Sequence, residues 1–128
     1  MTQAIHWISI VLDVPSFLLT MLTVIETAEY LRQAGKLFSE EERAAIVAFL
    51  SGNPEAGDVM QGTGGLRKLR WKREGKGKRG GARIIYYYHN DTMPLSLVYA
   101  YAKSAQENLT PHEKKALTAM IATFFEED

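Results

Sequence analysis

The sequence has no cysteine. Disulfide frameworks, thiol nucleophiles and cysteine-ligated zinc are thereby excluded, and the absence fits a reducing compartment, with the cytoplasm as the expected location. Histidine is scarce: His6, His89 and His112 show no metal-ligand spacing, and no carboxylate pair suited to glycoside chemistry stands out. No metal and no small-molecule cofactor are expected. A clean membrane span is lacking too. The apolar opening MTQAIHWISIVLDVPSFLLT contains Asp13 and Pro15 and has no flanking Lys or Arg. It barely reaches the ~20 residues that a spanning helix needs. A basic n-region and a small-x-small cleavage site are also missing, so it does not read as a signal peptide. Residues 1–20 are therefore expected to be an N-terminal extension, either a start-codon artefact or a loosely packed arm. Residues 21–128 are expected to form one domain with no membrane association. With 46% hydrophobic residues, that length can bury a core without a metal or disulfide.

Net charge is also lacking: fifteen basic residues balance fifteen acidic ones. Taken alone, this balance argues against a polyanionic partner. The average conceals a segregation, because nine of the fifteen cations (Arg67, Lys68, Arg70, Lys72, Arg73, Lys76, Lys78, Arg79 and Arg83) crowd between Arg67 and Arg83 with Glu74 as the one acid. The acids collect elsewhere, chiefly at Glu40, Glu41 and Glu42 and in the tail Glu126, Glu127 and Asp128. A solubilising face normally mixes both signs, so a single-sign field of this density points to a phosphate-rich partner.

Periodicity then supplies the elements. Leu22 to Glu26 reads as a short strand, and the spacing of Tyr30, Leu31, Ala34 and Leu37 as a helix that Gly35 weakens or ends. Ser39 and Glu42 form a capping box for a second helix through Ile46, Phe49 and Leu50, stopped by Gly52-Asn53-Pro54. Residues 52–65 read as loop. Leu66 to Trp71 alternates, with Leu69 and Trp71 on one face and Lys68 and Arg70 on the other. A mobile cationic loop follows, then strands at Ala82 to His89 and Leu95 to Lys103 around the Asn90-Asp91 turn. Thr110 caps a last helix with Pro111 at its first position and a buried stripe of Leu117, Met120, Ile121, Phe124 and Phe125. The order is that of an α+β domain, an antiparallel sheet with two N-terminal helices and one C-terminal helix. The helices are expected on one face, leaving the other open.

Residues two apart on a strand share a face. If Arg83 pairs on the same side as Tyr101 and Lys103, then Lys68, Arg70, Arg83, Tyr101 and Lys103 converge into a candidate site. The segment Gly75 to Gly80 matches G-x-G-x-x-G, but a dinucleotide fingerprint must follow a strand and open a helix, and this one lies between two strands. A loop that tracks a phosphate backbone through its cations and amides is the better reading. His112 reads as a surface residue, and His89, at the hairpin end, as a solvated turn residue with an acid or base role as the alternative.

Two stretches, GDVMQGTGGLRKLRWKREGKGKRGGARIIYYYHN from Gly57 and VYAYAKSAQENLTPHEKKAL from Val98, resemble the RelE/ParE toxin superfamily, in particular its HigB-like branch. The resemblance runs from about Met21 to the end. It implies a small RelE-like fold and the toxin of a type II toxin-antitoxin module. Such a toxin is a ribosome-dependent endoribonuclease, an mRNA interferase that enters the A site and cuts messenger RNA by metal-free attack of a 2′-hydroxyl. Its partners are then messenger RNA, the ribosome and a cognate antitoxin of helix-turn-helix type. Carried over by motif, Lys68, Arg70, Arg83 and Lys103 are the catalytic candidates. Arg83 acts as the phosphate clamp, and Lys68 as a base if its surroundings favour the neutral amine. Arg67, Lys72, Arg73, Lys76, Lys78, Arg79 and Tyr101 are RNA-binding candidates, Tyr101 by base stacking or proton handling. One departure concerns the late lysine: the family often places an acid soon after it, whereas Ser104-Ala105-Gln106 follow Lys103. Two rivals use the same fold without RNA chemistry: a ParE-like gyrase poison, which has no need of the cationic face, and a non-catalytic RNA- or ribosome-binding module.

Overall fold

The structure, a computed structural model, describes residues 22–73 and 81–125. Five strands and three helices follow one another as β1 (Val24–Glu26), α1 (Ala28–Leu37), α2 (Glu40–Gly52), β2 (Asp58–Val59), β3 (Leu66–Trp71), β4 (Ala82–Tyr87), β5 (Leu95–Ala102) and α3 (Pro111–Ala122). A 3₁₀ turn at Thr123–Phe125 closes the described chain. The expected leader at residues 1–20 lies outside the described residues, as do Lys76, Lys78 and Arg79.

Local chemistry sets the helix starts. Thr27 accepts from the Tyr30 amide at 3.2 Å while its hydroxyl donates to the Leu97 carbonyl at 2.7 Å, so the cap that opens α1 also pins it to β5. The capping box of Ser39 and Glu42 opens α2 as read from the sequence, and Thr110 with Glu113 does the same for α3. Each helix buries a pair four residues apart, Tyr30 with Ala34, Ile46 with Leu50, and Leu117 with Ile121. Gly35 does not end α1, which continues to Leu37.

The strand order is β1-β5-β4-β3-β2. The pairings among β2, β3, β4 and β5 are antiparallel; β1 runs parallel to β5, with Val24 opposite Leu95, so the sheet is mixed. β2, a two-residue edge strand within the stretch read as loop, pairs Asp58 with Lys68 and Val59 with Arg67. The α+β class stands, but the placement of the helices on one face does not. α1 and α2 cover one face through Tyr30, Ala34, Ile46 and Leu50 against Leu69, Ile84, Tyr86 and Leu97. α3 lies on the other, where Leu117 and Ile121 meet Leu66, Ile85, Tyr87 and Val98. The reason is that β3 to β5 carry apolar side chains on both faces, and each face loses hydration cost only when covered. Phe125, expected in the buried stripe, is 45% exposed because the helix has ended three residues before it.

Candidate nucleic-acid interface

α3 covers only part of the second face. Beyond it the antiparallel register sets Arg70 opposite Arg83 and Arg83 opposite Tyr101, one transverse row across β3, β4 and β5. The next row is Lys68, Ile85 and Tyr99. Directly opposed side chains lie about 4.5–5.5 Å apart at Cβ, and like charges so placed repel. Among the described residues no ion pair reaches Arg70 or Arg83. An uncompensated arginine pair on a half-open sheet face is a focus of positive potential, and an anion held between the two relieves the repulsion.

Arg70 is exposed and Arg83 half-buried, with one guanidinium N–H donating to the Ala82 carbonyl at 3.2 Å. Its remaining donors are free to fork onto phosphate oxygens. Lys68 is half-buried, and its ammonium reaches Asn108 Oδ1 at 3.5 Å. Lys103 lies just past the end of β5, its amide donating to the Gly81 carbonyl at 3.0 Å and its ammonium 3.6 Å from Glu107. An acid four residues on thus stands beside the late lysine, where the sequence reading saw none.

Tyr101 is 4% exposed, and its hydroxyl is buried without a hydrogen-bond partner. Burial pushes its pKa up; Arg83 opposes the rise and Glu113 adds to it. A ring so enclosed offers no open face to a base, and a phenol whose pKa is raised holds its proton more firmly. That corrects the stacking role.

The other candidates separate. Arg67 points to the opposite face, where its guanidinium donates to the carbonyls of Glu55 at 3.2 Å and Gly57 at 2.8 Å and lies 3.8 Å from the Glu55 carboxylate. It ties the 55–57 turn to β3 and is not brought to the arginine row. Lys72 is exposed just past β3, while Arg73 has its Nε buried without a partner. His89 is exposed at the far end of β4, 4.9 Å from the Phe125 ring and within 3.2 Å of the Tyr87 hydroxyl. His112 lies in the first turn of α3, beside a groove shared with Glu29 and Tyr99. The described residues contain no group of three or more His, Asp or Glu that could hold a metal ion. None of their helices is long and apolar enough to cross a membrane.

Sequence reasoning missed Tyr99, Gln106, Glu107, Asn108 and Glu113, which border the cationic rows. Of these Tyr99 left a signal, two residues from Tyr101 on one strand, and so did Glu113, as the fourth residue of the Thr110-Pro111-His112-Glu113 capping pattern. Gln106, Glu107 and Asn108 depend on how the turn after β5 folds back over the sheet.

A structure of E. coli toxin RelE, a double arginine-to-alanine mutant in the free state, shares the fold with a TM-score of 0.53 at 14% identity. The match covers 79% of this chain and 97% of that one. The family described as the RelE toxin of the RelE/RelB toxin-antitoxin system matches residues 28–128. The elements that carry the arginine row and the helix that borders it all fall inside that match, and the chain belongs to the RelE toxin family.

Proposed function

We propose that this protein is a ribosome-dependent endoribonuclease of the HigB-like kind, the cytoplasmic toxin of a type II module, silenced by an antitoxin with a helix-turn-helix domain. The observation that carries the reading is the Arg70–Arg83–Tyr101 row with Lys68 and Lys103 at its margins. Messenger RNA bound in the A site lays its backbone across this row. The 2′-oxygen loses its proton and bonds to the adjacent phosphorus while the bond to the 5′-oxygen breaks, leaving a cyclic 2′,3′-phosphate and a 5′-hydroxyl. Negative charge grows on the phosphoryl oxygens during this step. Arg83 clamps two of them, Arg70 supplies the second guanidinium, and pre-placed cations need no reorganisation as the charge develops. Lys68 and Lys103 are the candidates for moving protons at the attacking and leaving oxygens. Lys72, Arg73, Lys76, Lys78 and Arg79 follow the strand backbone outward.

The test is a reconstituted translation reaction with a defined messenger, the 5′ ends mapped by primer extension. Cuts are expected only when ribosomes are present. Arg83→Ala is expected to lower cleavage about 10²–10³-fold while the protein still folds, as removal of one transition-state donor does elsewhere. Messenger left intact by a folded protein would favour a binding module, with gyrase supercoiling assayed next.

A further inference from the structure

The second row of the sheet face is closed over by a chain of hydrogen bonds. Tyr99 donates to Glu113 Oε2 at 2.7 Å, and Gln106 donates to Glu113 Oε1 at 2.9 Å and to the Asn108 carbonyl at 2.9 Å. Asn108 Oδ1 then meets the Lys68 ammonium. Lys68 and Tyr99 stand on either side of the buried Ile85 in one register row, so segment 106–113 arches from β5 to β3 above it. Resting on the nuclease reading above, we propose that Asn108 and Glu113 are positioning residues for Lys68, with Glu113 locking the arch to β5 and Asn108 fixing the ammonium beside the arginine row.

Glu113 does more than a helix cap requires. A capping box needs its contacts with Thr110 only, at 2.8 and 3.0 Å, yet this carboxylate also accepts from Tyr99 and Gln106. Burial opposes its ionisation, but the bonds from Thr110, Gln106 and Tyr99 outweigh it and hold the carboxyl below its ordinary value. It is therefore a fixed negative anchor at neutral pH. Lysine is among the most flexible side chains, and a group that moves protons in a reaction gains most from being held in one geometry. Asn108 sits on an exposed turn, and its acceptor oxygen can face Lys68 only while that turn is held.

The proposal is tested on the full chain as wild type, Asn108→Ala, Asn108→Asp and Glu113→Gln, with two readouts. The first is the rate at which each lysine is acylated by a water-soluble acetylating reagent, followed by mass spectrometry. With Lys36 and Lys115 as references, Lys68 alone is expected to react roughly threefold faster in Asn108→Ala and Glu113→Gln, as loss of one hydrogen bond allows, and no faster than wild type in Asn108→Asp, whose carboxylate keeps an acceptor and holds the ammonium more tightly. The second is messenger cleavage, where Asn108→Ala is expected to lower kcat about tenfold at an unchanged KM and Asn108→Asp to restore it. Unchanged acylation of Lys68 in Asn108→Ala overturns the proposal, and so does an unchanged kcat or a fall in kcat that Asn108→Asp fails to rescue. A rise at every lysine in Glu113→Gln reduces Glu113 to a structural cap and overturns its part. If the wild type cuts no messenger, the nuclease reading falls, and acylation alone decides whether the arch holds Lys68.

Discussion

The Tyr86 side chain spans the first core and reaches the turn beyond it, where its hydroxyl accepts from the Gly57 amide at 2.7 Å and donates to the Pro54 carbonyl at 2.8 Å. Tyr86→Phe leaves both backbone groups without that partner, and urea unfolding is expected to show a loss of about 1–3 kcal/mol. Gly57 exists to admit this ring: a Cβ there would stand 2.7 Å from Tyr86 Cε1 and 3.0 Å from the Lys68 carbonyl. The tyrosines also set a pH dependence. Burial pushes Tyr99 up to about 12, aided by its bond to Glu113, and burial raises Tyr30 and Tyr86 as well. A folded-state value above the unfolded value of 10.0 means stability that is whole below pH 10 and declines as pH rises toward the folded value. Glu113 works in the opposite sense: its folded value lies below 4.5, so its contribution is present above that pH and is lost as pH falls through the folded value. Thermal melts across the pH range should therefore decline at both ends, with Tyr99→Phe flattening the alkaline limb and Glu113→Gln the acid one.

Among the elements, the helices were legible because their signals are local. Ser39 with Glu42, and Thr110 followed by Pro111, mark helix starts wherever they occur. Gly35 shows where a local signal misleads: it weakens α1 through backbone entropy, yet the packing of Tyr30 and Ala34 carries the helix past it. A Cβ at Gly35 meets nothing within 4 Å, so Gly35→Ala is expected to stabilise the protein by roughly 0.5–1 kcal/mol in chemical denaturation. The same change at Gly57 is expected to destabilise it by about 1–3 kcal/mol, since the backbone of β3 cannot retreat. β5 illustrates what patterning hides. A register shift between Ile85 and Tyr86 leaves Val98 as an extra residue, which turns into the second core while Leu97 stays in the first. Strict alternation could not place the neighbours Val98 and Tyr99 in one core.

For the whole molecule, the balanced net charge coexists with a cationic sheet because many of the acids sit on α2 while Arg67, Lys68, Arg70 and Arg83 sit on β3 and β4. On the proposed function, an RNA ligand on the arginine row would release counterions as it binds. Affinity for a non-cleavable, 2′-deoxy-substituted messenger fragment is expected to fall steeply with salt, with Arg70→Ala reducing the slope of log K against log salt by roughly 0.7. Arg67→Ala should leave that slope unchanged and lower stability instead, because its guanidinium is committed to the carbonyls of Glu55 and Gly57.

The sequence by itself determined the three helices, the capping box of Ser39 and Glu42, the Thr110-Pro111 helix start, the cationic stretch and the alternation that sets Lys68 and Arg70 on one side of β3. All of these follow from interactions between residues close in the chain. Only the tertiary structure decided which cations meet. Arg70, Arg83 and Tyr101 come from three strands, and their alignment depends on hydrogen-bonded register, which a slip of one residue would reverse. It also decided that Arg67 is tied to the carbonyls of Glu55 and Gly57, and that Tyr101 is enclosed. It brought Glu113 and Asn108 to the site by folding the turn after β5 back over Ile85. No periodicity records that return, because it is driven by burial of Leu109, Leu117 and Ile121 against the sheet.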